Sequence, residues 1–283
     1  MTEATTGTNH LRIKRCRDGM MLFPIRDQYI GQSLDRYGEF SRGESLVFEQ
    51  IVRPGDTVLD LGANLGAHTV HISRMVGVNG RVLAFEPQLP IFQIMCANLA
   101  INGLTNVEAY WAAISSRSGS ITVPRLDLSM TNNFGALRLG SANQGDIVRT
   151  IAVDDLDLSS CRFIKADIEG MEYEAILGAR ETILRLKPVM YLEYIGGELC
   201  SDLYKLIEGL GYDMWWHLPL YFSPENYNSS TYNPFGGEFS ANILCIHRDQ
   251  KVQISHAEKV NGPDDHYSRP AKLGEKHLSL KFG

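Results

Sequence analysis

A carboxylate lies near the end of the apolar run TVLDL and two glycines follow it, in the sequence Asp60-Leu61-Gly62-Ala63-Asn64-Leu65-Gly66. Glycine permits positive φ angles and lets a ligand lie close to the backbone where a strand turns into a helix. The spacing differs from the G-x-G-x-x-G fingerprint of dinucleotide-binding turns. A carboxylate at Asp60 would repel a pyrophosphate but would suit a ligand that carries an ammonium or sulfonium group. The turn therefore disfavours a nicotinamide cofactor.

Glu86 stands at the end of the next apolar run, RVLAF. A carboxylate there can accept two hydrogen bonds from the vicinal hydroxyls of a ribose, although a solvated strand end is the simpler role. In combination, Glu86 and the upstream turn indicate an adenosine ligand without phosphates. S-adenosylmethionine fits this pattern, with an acid near its cationic methionine end, glycines under the nucleoside and Glu86 on the sugar.

A second group of charged residues follows two later apolar runs. In FIKADIEG the alternation of side chains places Lys165, Asp167 and Glu169 on one side of a strand, and Glu193 ends the next strand, YLEY. A purely structural alternative is that Lys165 pairs with Asp167 or Glu193 and holds the sheet together. Charges at the ligand end of a parallel sheet are costly without a use, so a functional role is favoured for Asp167 and Glu193.

Methyl transfer to an alcohol needs a group that takes the hydroxyl proton, and a positioned carboxylate or histidine contributes roughly 10²- to 10⁴-fold to the rate. Asp167 is the first choice for this base, and Glu169, Glu193 and His217 are the alternatives. A lone histidine beside two tryptophans is, however, more often a packed core group. The remaining histidines after the glycine turn, His68 and His71, are expected on the helix surface or in packing.

Hard cations favour clustered carboxylates, so a bound Mg²⁺ or Ca²⁺ could hold two adjacent hydroxyls of an acceptor. The same acids would work without a metal ion. The sequence does not demand metal dependence, and we do not favour it.

The elements that would position these residues alternate between strands and helices. The predicted parallel strands are 57–62, 81–87, 106–114, 161–170 and 188–194. The predicted helices are 65–76, 89–102, 171–186 and 199–210. Two exposed strands are expected in SITVP and VRTIAV, and two late strands in YDMWWHL and ANILCIHR. This order predicts an α/β fold with helices on both faces of a mostly parallel sheet, and ligands bind at the carboxyl ends of such strands.

Composition limits the class of protein. The chain has 283 residues, of which 44% are hydrophobic and 21% charged, and its formal net charge is -6. These values are typical of a globular protein and give no broad basic field for nucleic acid. No apolar run approaches the ~20 residues of a membrane span, and the N-terminal stretch lacks the apolar core of a secretion signal. Five cysteines without a Cys-x-x-Cys pair indicate reduced thiols in a cytoplasmic protein.

One large domain is expected over residues 11–250. Residues 1–10 are predicted to be a mobile leader and residues 251–283 a polar tail that buries little surface. The stretches 129–146 and 215–242 are insertions within the domain, and the second is rich in Trp, Tyr, Phe, Asn and Gly. That composition suits stacking on a sugar ring, so we expect acceptor specificity there. Aromatic loops also form dimer contacts, which leaves a homodimer open.

Five segments together resemble the FkbM family of S-adenosylmethionine-dependent methyltransferases: YGEFSRGE (37–44), RPGDTVLDLGANLGAHT (53–69), VLAFEP, FIKADIEGMEYEAILGA (163–179) and VMYLEY. The resemblance covers roughly residues 37–195, and its most specific part is Lys165-x-Asp167-x-Glu169-Gly170-x-Glu172. It implies a Rossmann-like seven-stranded methyltransferase sheet with a reversed last strand, to which ANILCIHR would correspond. It also implies methyl transfer to a hydroxyl of a small molecule, commonly a sugar or a secondary metabolite of natural product biosynthesis.

The resemblance also implies roles for individual residues. Tyr37, Glu39 and Glu44 would lie near the methionine portion, and Ala113 or Ser115 would face the adenine. The residues expected along the cofactor are Asp60, Gly62, Ala63, Asn64, Gly66 and Glu86. Two other functions remain open from the sequence: N- or carboxyl-methylation of a small molecule or peptide, and a nucleoside-binding module without catalysis.

Overall fold

The computed structural model describes residues 10–135, 144–194, 199–267 and 277–283, with the side chains of residues 199 and 200 left out. A sheet of seven strands forms its centre. From one edge to the other its strands are β11 (Tyr212–His217), β12 (Asn242–His247), β10 (Val189–Glu193), β9 (Phe163–Ala166), β3 (Thr57–Leu61), β4 (Arg81–Phe85) and β5 (Val107–Tyr110). The pairs from β10 to β5 are parallel, and β12 runs antiparallel to both of its neighbours. The predicted fold class, including the reversed strand in ANILCIHR, is confirmed.

Helices cover both faces of this sheet. Those with bounds in the described part are α1 (Ile30–Tyr37), α2 (Arg42–Ile51), α3 (Ala67–Val76), α4 (Leu89–Ile101), α5 (Glu172–Leu177), α6 (Arg180–Leu186) and α7 (Leu199–Gly209). Two consecutive residues of β3 show that both faces of the sheet are buried. Val58 packs in the core that α2 and α3 close, and Leu59 packs in the core that α5, α6 and α7 close. Strands buried on both faces read as continuous apolar runs, which is why TVLDL was recognisable.

Two predicted elements are divided in the structure. The strand expected over 106–114 is β5 followed by a separate short strand, β6 (Ala113–Ile114), which joins β7 (Gly119–Val123) and β8 (Asp146–Ile151) in a three-stranded sheet. The helix expected over 171–186 is interrupted at Gly178. A Cβ at that position would lie 2.2 Å from the backbone oxygen of Ser115, so the chain passes too close there for a side chain.

An N-terminal hairpin and two helices have no counterpart among the predicted elements. Strands β1 (Leu11–Cys16) and β2 (Gly19–Pro24) pair antiparallel, and α1 and α2 follow. The hairpin turn is held against α3, since His71 Nδ1 lies 2.8 Å from Asp18 Oδ1. Burial opposes ionisation of Asp18, but the hydrogen bond and charge of His71 lower its pKa. Residues 1–9 of the expected leader lie outside the described residues.

The segment expected to be a polar tail contributes to the core at two points. It contains strands β13 (Val252–Ser255) and β14 (Ser279–Phe282), which pair antiparallel, and the side chains of Val260 and Leu278 are buried. The side-chain amide of Gln50 in α2 donates to the Leu278 backbone oxygen at 3.0 Å and accepts from the Leu280 N–H at 2.7 Å. The expectation that this segment buries little surface is not met there.

Across the described ranges, none of the helices combines the length and the apolar character that a membrane crossing requires. Four of the five cysteines, Cys16, Cys96, Cys161 and Cys245, are free thiols.

Candidate cofactor and acceptor site

A cavity opens at the carboxyl ends of the central parallel strands. Four of its lining residues lie at the carboxyl ends of neighbouring strands. Gly62 comes after β3, Glu86 after β4 and Asp167 after β9, and Glu193 ends β10. Of the predicted site residues, those that line the cavity are Gly62, Ala63, Asn64, Glu86, Ala113, Asp167, Glu169 and Glu193. Those that do not are Tyr37, Asp60, Gly66, Ser115 and His217. The carboxyl edge of the sheet is thus where the predicted residues converge.

The turn after β3 is shaped by contact with the neighbouring strand end. Gly62 has a φ of +77°, and a Cβ there would lie 1.8 Å from the Asp167 backbone oxygen. The Gly62 and Ala63 N–H groups donate to the Phe85 oxygen, which fixes the turn to the end of β4. Glycine at position 62 is therefore required by protein packing, and this packing brings the turn, β4 and Asp167 together around one opening.

Asp60 serves the interior rather than the cavity surface. Its side chain is fully buried, accepts a hydrogen bond from the Thr69 hydroxyl at 2.7 Å, and lies 3.5 Å from Lys165 Nζ. Gly66, φ +86°, precedes the first residue of α3 and also lies off the cavity. The predicted contact of Asp60 with a cationic ligand is thus replaced by a contact with the cation of Lys165.

Glu86 is buried and held by backbone groups. Its two carboxylate oxygens accept from the Asn64 N–H at 3.0 Å and the Gln88 N–H at 2.8 Å. Burial raises the pKa of Glu86 to about 7. Each oxygen keeps a lone pair that a ribose hydroxyl can reach. The side-chain oxygen of Gln88, buried and without a hydrogen-bond partner in the described part of the chain, is an acceptor suited to an exocyclic amine. The residues on this wall therefore fit an adenosine group.

Ala113 lies on the same wall, whereas Ser115 does not. Tyr37 is buried against Phe222 and Phe235, and its hydroxyl donates to the Tyr232 oxygen at 3.0 Å. It thus supports the segment that presents Tyr221 to the cavity instead of meeting a ligand itself.

Three carboxylates meet on the opposite wall. One oxygen from each of Asp167, Glu169 and Glu193 lies within 4.8 Å of the others. Lys165 Nζ lies 3.4 Å from Asp167 Oδ2 and 3.4 Å from the Gly62 oxygen. Burial opposes the charge of Lys165, but the charges of Asp167 and Asp60 outweigh it and raise its pKa. Burial, followed by the charges of Asp167 and Glu169, raises the pKa of Glu193 well above the usual carboxyl range. Protonation of Glu193 is therefore favoured.

His217 lies in the core, which corrects the prediction that it could act as a base at the site. Its Nδ1 is 2.7 Å from the Tyr191 hydroxyl, and burial lowers its pKa to about 4. His217 is the last residue of β11 and is itself buried, and it does not line the cavity.

His68 also lines the cavity, although the sequence predicts it only as a residue of the helix surface or of packing. It is buried in the first turn of α3, and its Nε2 lies 3.3 Å from Glu44 Oε2. Glu44 also accepts from the Ser41 hydroxyl at 2.7 Å. Burial would raise the pKa of Glu44, but the hydrogen bond and charge of His68 and the Ser41 hydroxyl lower it to about 2. The available signal was the position of His68 directly after the glycine turn.

Three aromatic residues from separate segments complete the cavity: Tyr29, Phe40 and Tyr221. Tyr29 and Tyr221 meet edge to face with ring centroids 5.2 Å apart, and Phe40 stacks with Tyr221 at 6.2 Å. Of the two predicted acceptor insertions, 129–146 contributes Asn133 and Gly135, and 215–242 contributes Tyr221. Residues 136–143 lie outside the described residues.

The fold and the cavity define the class of protein. A mostly parallel sheet with one reversed strand, and a cavity at its carboxyl edge whose residues fit an adenosine group, are the features of an S-adenosylmethionine-dependent methyltransferase. Residues 60–214 match the family model described as the methyltransferase FkbM domain. The chain belongs to the FkbM methyltransferase family.

Solved structures of methyltransferases resemble the chain at low sequence identity. The FkbM methyltransferase from Methylobacillus flagellatus KT is 16% identical with a TM-score of 0.45, over 77% of this chain and 55% of that one. An S-adenosylmethionine-dependent methyltransferase from Aquifex aeolicus is 16% identical with a TM-score of 0.40, over 76% and 92%. Aeropyrum pernix fibrillarin, solved with natively bound S-adenosyl-L-methionine, is 12% identical with a TM-score of 0.43, over 84% and 94%.

The chain therefore spans 55% of the length of the M. flagellatus protein. Among curated proteins none matches the chain. The family assignment rests on the match of residues 60–214.

Proposed function

We propose that this methyltransferase acts on a hydroxyl of a small molecule, a sugar or a secondary metabolite, within natural product biosynthesis. The observation that carries the proposal is the carboxylate of Asp167. Its side chain is 40% exposed and lines the cavity, and Lys165 Nζ lies 3.4 Å from one of its oxygens. S-adenosylmethionine, when bound, supplies an electrophilic methyl group. An alcohol is a weak nucleophile until its proton leaves, so a fixed carboxylate beside the cofactor turn supplies what the acceptor needs.

The neighbouring acids support a division of roles. Burial and the charges of Asp167 and Glu169 raise the pKa of Glu193 well above the usual carboxyl range, so this carboxyl is suited to holding a proton. The role of proton acceptor therefore falls to Asp167. The Lys165 ammonium, 3.4 Å from Asp167, restricts the carboxylate to one orientation. Orientation of this kind is the main contribution that a protein can make to an in-line displacement.

The walls around Asp167 indicate the kind of acceptor. Tyr29, Phe40 and Tyr221 present aromatic surface, which suits stacking against a sugar ring or another flat ring. Glu169 and Glu193 offer oxygens to further hydroxyls. These walls exclude water from the reacting oxygen once a ring covers them.

Labelled methyl transfer tests the proposal directly. The chain should be incubated with methyl-labelled S-adenosylmethionine and a panel of hydroxylated, amine and carboxyl acceptors, with products identified by mass spectrometry. We expect the label on a hydroxyl. Asp167→Asn should lower turnover at least 100-fold, roughly the share of a general base, while binding of S-adenosylhomocysteine is retained.

Asp202→Asn, an exposed aspartate on α7, is the matched control and should keep full turnover. Label found only on amine or carboxyl acceptors would replace the hydroxyl proposal with the corresponding N- or carboxyl-methylation. Full activity of Asp167→Asn would remove Asp167 from the role of base.

We also propose a cytoplasmic location. It is supported by the four free thiols in the described residues, three of which are buried, since such thiols persist in a reducing compartment. Detection of the chain in a cytoplasmic fraction would test this, and its recovery from an oxidising compartment would contradict it.

A further inference from the structure

The cavity is rich in acids. Its described lining residues include the carboxyl groups of Glu86, Asp167, Glu169 and Glu193, and the basic side chains among them are Lys165 and His68. S-adenosylmethionine carries a carboxylate at its methionyl end. A carboxylate placed among these acids would be repelled unless N–H donors meet it.

Lys165 is already committed to protein groups. Its ammonium has three N–H donors, and Nζ lies 3.4 Å from Asp167, 3.5 Å from Asp60 and 3.4 Å from the Gly62 oxygen. Two of these contacts are hydrogen bonds and the third is an ion pair with the fully buried Asp60, so the ammonium is directed toward protein groups. His68 is therefore the basic lining group in the described chain that can serve a ligand.

The surroundings of His68 fix its ring. Nε2 faces Glu44 Oε2 at 3.3 Å, and Glu44 is anchored by the Ser41 hydroxyl. Phe48 meets the imidazole edge to face at 5.2 Å, and Phe40 lies 5.5 Å from it on the cavity side. Nε2 is in ion-pair range of Glu44 but has no hydrogen-bond partner in the described chain, and the residue lines the cavity. In the imidazolium form both ring nitrogens carry N–H donors, so a donor that the protein does not use can meet a ligand.

Strand order places His68 at the correct end of the cavity. Glu86 and Ala113, which fit an adenosine group, follow β4 and β5, so the methionyl end of the same ligand must extend to the other side of β3. His68 lies on that other side. Phe48, which touches it, packs against Phe163 of β9 at 5.1 Å and Tyr191 of β10 at 5.2 Å.

We infer that His68, oriented by Glu44, binds the methionyl carboxylate of the methyl donor. This inference rests on the proposed function, because it presumes that the cavity takes S-adenosylmethionine. It assigns to α2 a part in ligand recognition: Glu44 is a positioning residue, and His68 is the residue that meets the ligand.

Calorimetric titration with three nucleosides tests the inference. S-adenosylhomocysteine carries both the amine and the carboxylate, its decarboxylated analogue keeps the amine alone, and methylthioadenosine lacks both. We expect His68→Asn to weaken S-adenosylhomocysteine binding roughly tenfold or more, as for loss of a hydrogen bond to a charged group. Binding of the other two nucleosides should change by less than about twofold, and their retained binding also reports that the variant folds.

Two further variants sharpen the result. Glu44→Gln should shift the same ligand selectivity in the same direction by a smaller factor, because the amide still offers an oxygen to His68. His71→Asn is the matched control, since His71 lies one turn further along α3, contacts Asp18 and does not line the cavity. It should leave all three affinities unchanged.

The outcomes separate the inference from the proposed function. Absence of binding of all three nucleosides to the natural chain would overturn the proposed function itself. If the natural chain binds them but His68→Asn weakens all three equally, His68 is structural and the inference is wrong. Equal weakening of the decarboxylated analogue would overturn the assignment to the carboxylate, as would unchanged binding of S-adenosylhomocysteine.

Discussion

The two sides of the cavity are built in different ways. The turn side, formed by residues 62–64 and the segments after β4 and β5, is shaped by backbone: Gly62 and Ala63 donate to Phe85, and Glu86 is held by two backbone N–H groups. The acid side, formed by the ends of β9 and β10 with His68, is held by side-chain charges that meet across the fold. A turn held by backbone contacts tolerates a new side chain only where that side chain fits the available space. A cluster of paired charges tolerates changes of side-chain shape but not of the sign of a charge.

The largest effect should come from a change of space on the turn side. Gly62→Ala would place a Cβ 1.8 Å from the Asp167 oxygen at a φ of +77°, so the turn and the end of β9 must separate. We expect the free energy of unfolding to fall by about 5 kcal/mol in urea denaturation.

Gly55→Ala isolates the free-energy cost of a positive φ angle, because Gly55 has a φ of +91° and no atom lies within 4 Å of the added Cβ. It should destabilise by about 1 to 2 kcal/mol. Equal losses in the two variants would show that backbone strain alone, and not the contact between the turn and β9, governs the turn side.

The second-largest loss in the free energy of unfolding should come from a change of charge on the acid side. Lys165→Met removes the cation beside the fully buried Asp60 and beside Asp167, so an uncompensated carboxylate remains in the interior. We expect a loss of about 4 kcal/mol, measured by guanidinium unfolding followed by tryptophan fluorescence.

The double variant Lys165→Met with Asp60→Asn should recover part of that loss, because it removes the orphaned charge and keeps an oxygen for Thr69. A single variant as stable as the natural chain, or a double variant less stable than the single one, would contradict the picture of the acid side as a charge cluster.

The smallest of the three effects at the cavity concerns Glu86, the carboxylate that the turn side holds without a cation. Its pKa is raised to about 7 in the folded protein, so folding binds its proton more tightly than the unfolded chain does. The associated stability is present at acidic pH and is lost as the pH rises from the ordinary carboxyl range through about 7. Between pH 4.5 and 8, the free energy of unfolding of Glu86→Gln should rise relative to the natural chain by about 2 to 3 kcal/mol.

Glu181→Gln, at an exposed position, is the control and should keep a constant difference from the natural chain over the same range. A constant difference for Glu86→Gln as well would show that Glu86 titrates normally, and the contrast between the two sides would lose its electrostatic part.

The same contrast explains what sequence could predict. The turn side comes from a nearly continuous stretch of chain, where glycine spacing, strand ends and the position of Glu86 are local signals. The ends of β9 and β10 were also foreseen, because parallel strands share an edge. The pairing of His68 with Glu44 was not, since it depends on how α2 packs against α3, and apolar periodicity carries no information on that contact.

Other differences have similar causes. The run 106–114, NVEAYWAAI, contains no glycine or proline, so its pattern does not reveal that the chain leaves one sheet for another before Ala113. His217 follows two tryptophans in a run that reads as strand or loop, and only its contact with Tyr191 shows it to be interior. The N-terminal hairpin depends on contacts with α3 and α4, far along the chain.

The hydrogen bonds between Gln50 and residues 278 and 280 have a consequence for biosynthesis. They join positions 228 and 230 residues apart, and they brace the helix that carries Glu44. While the chain emerges from the ribosome, the glycine turn and its neighbouring strands can be complete long before α2 gains its contacts with residues 278 and 280. The nascent polypeptide therefore acquires the floor of its binding cavity before the brace behind His68.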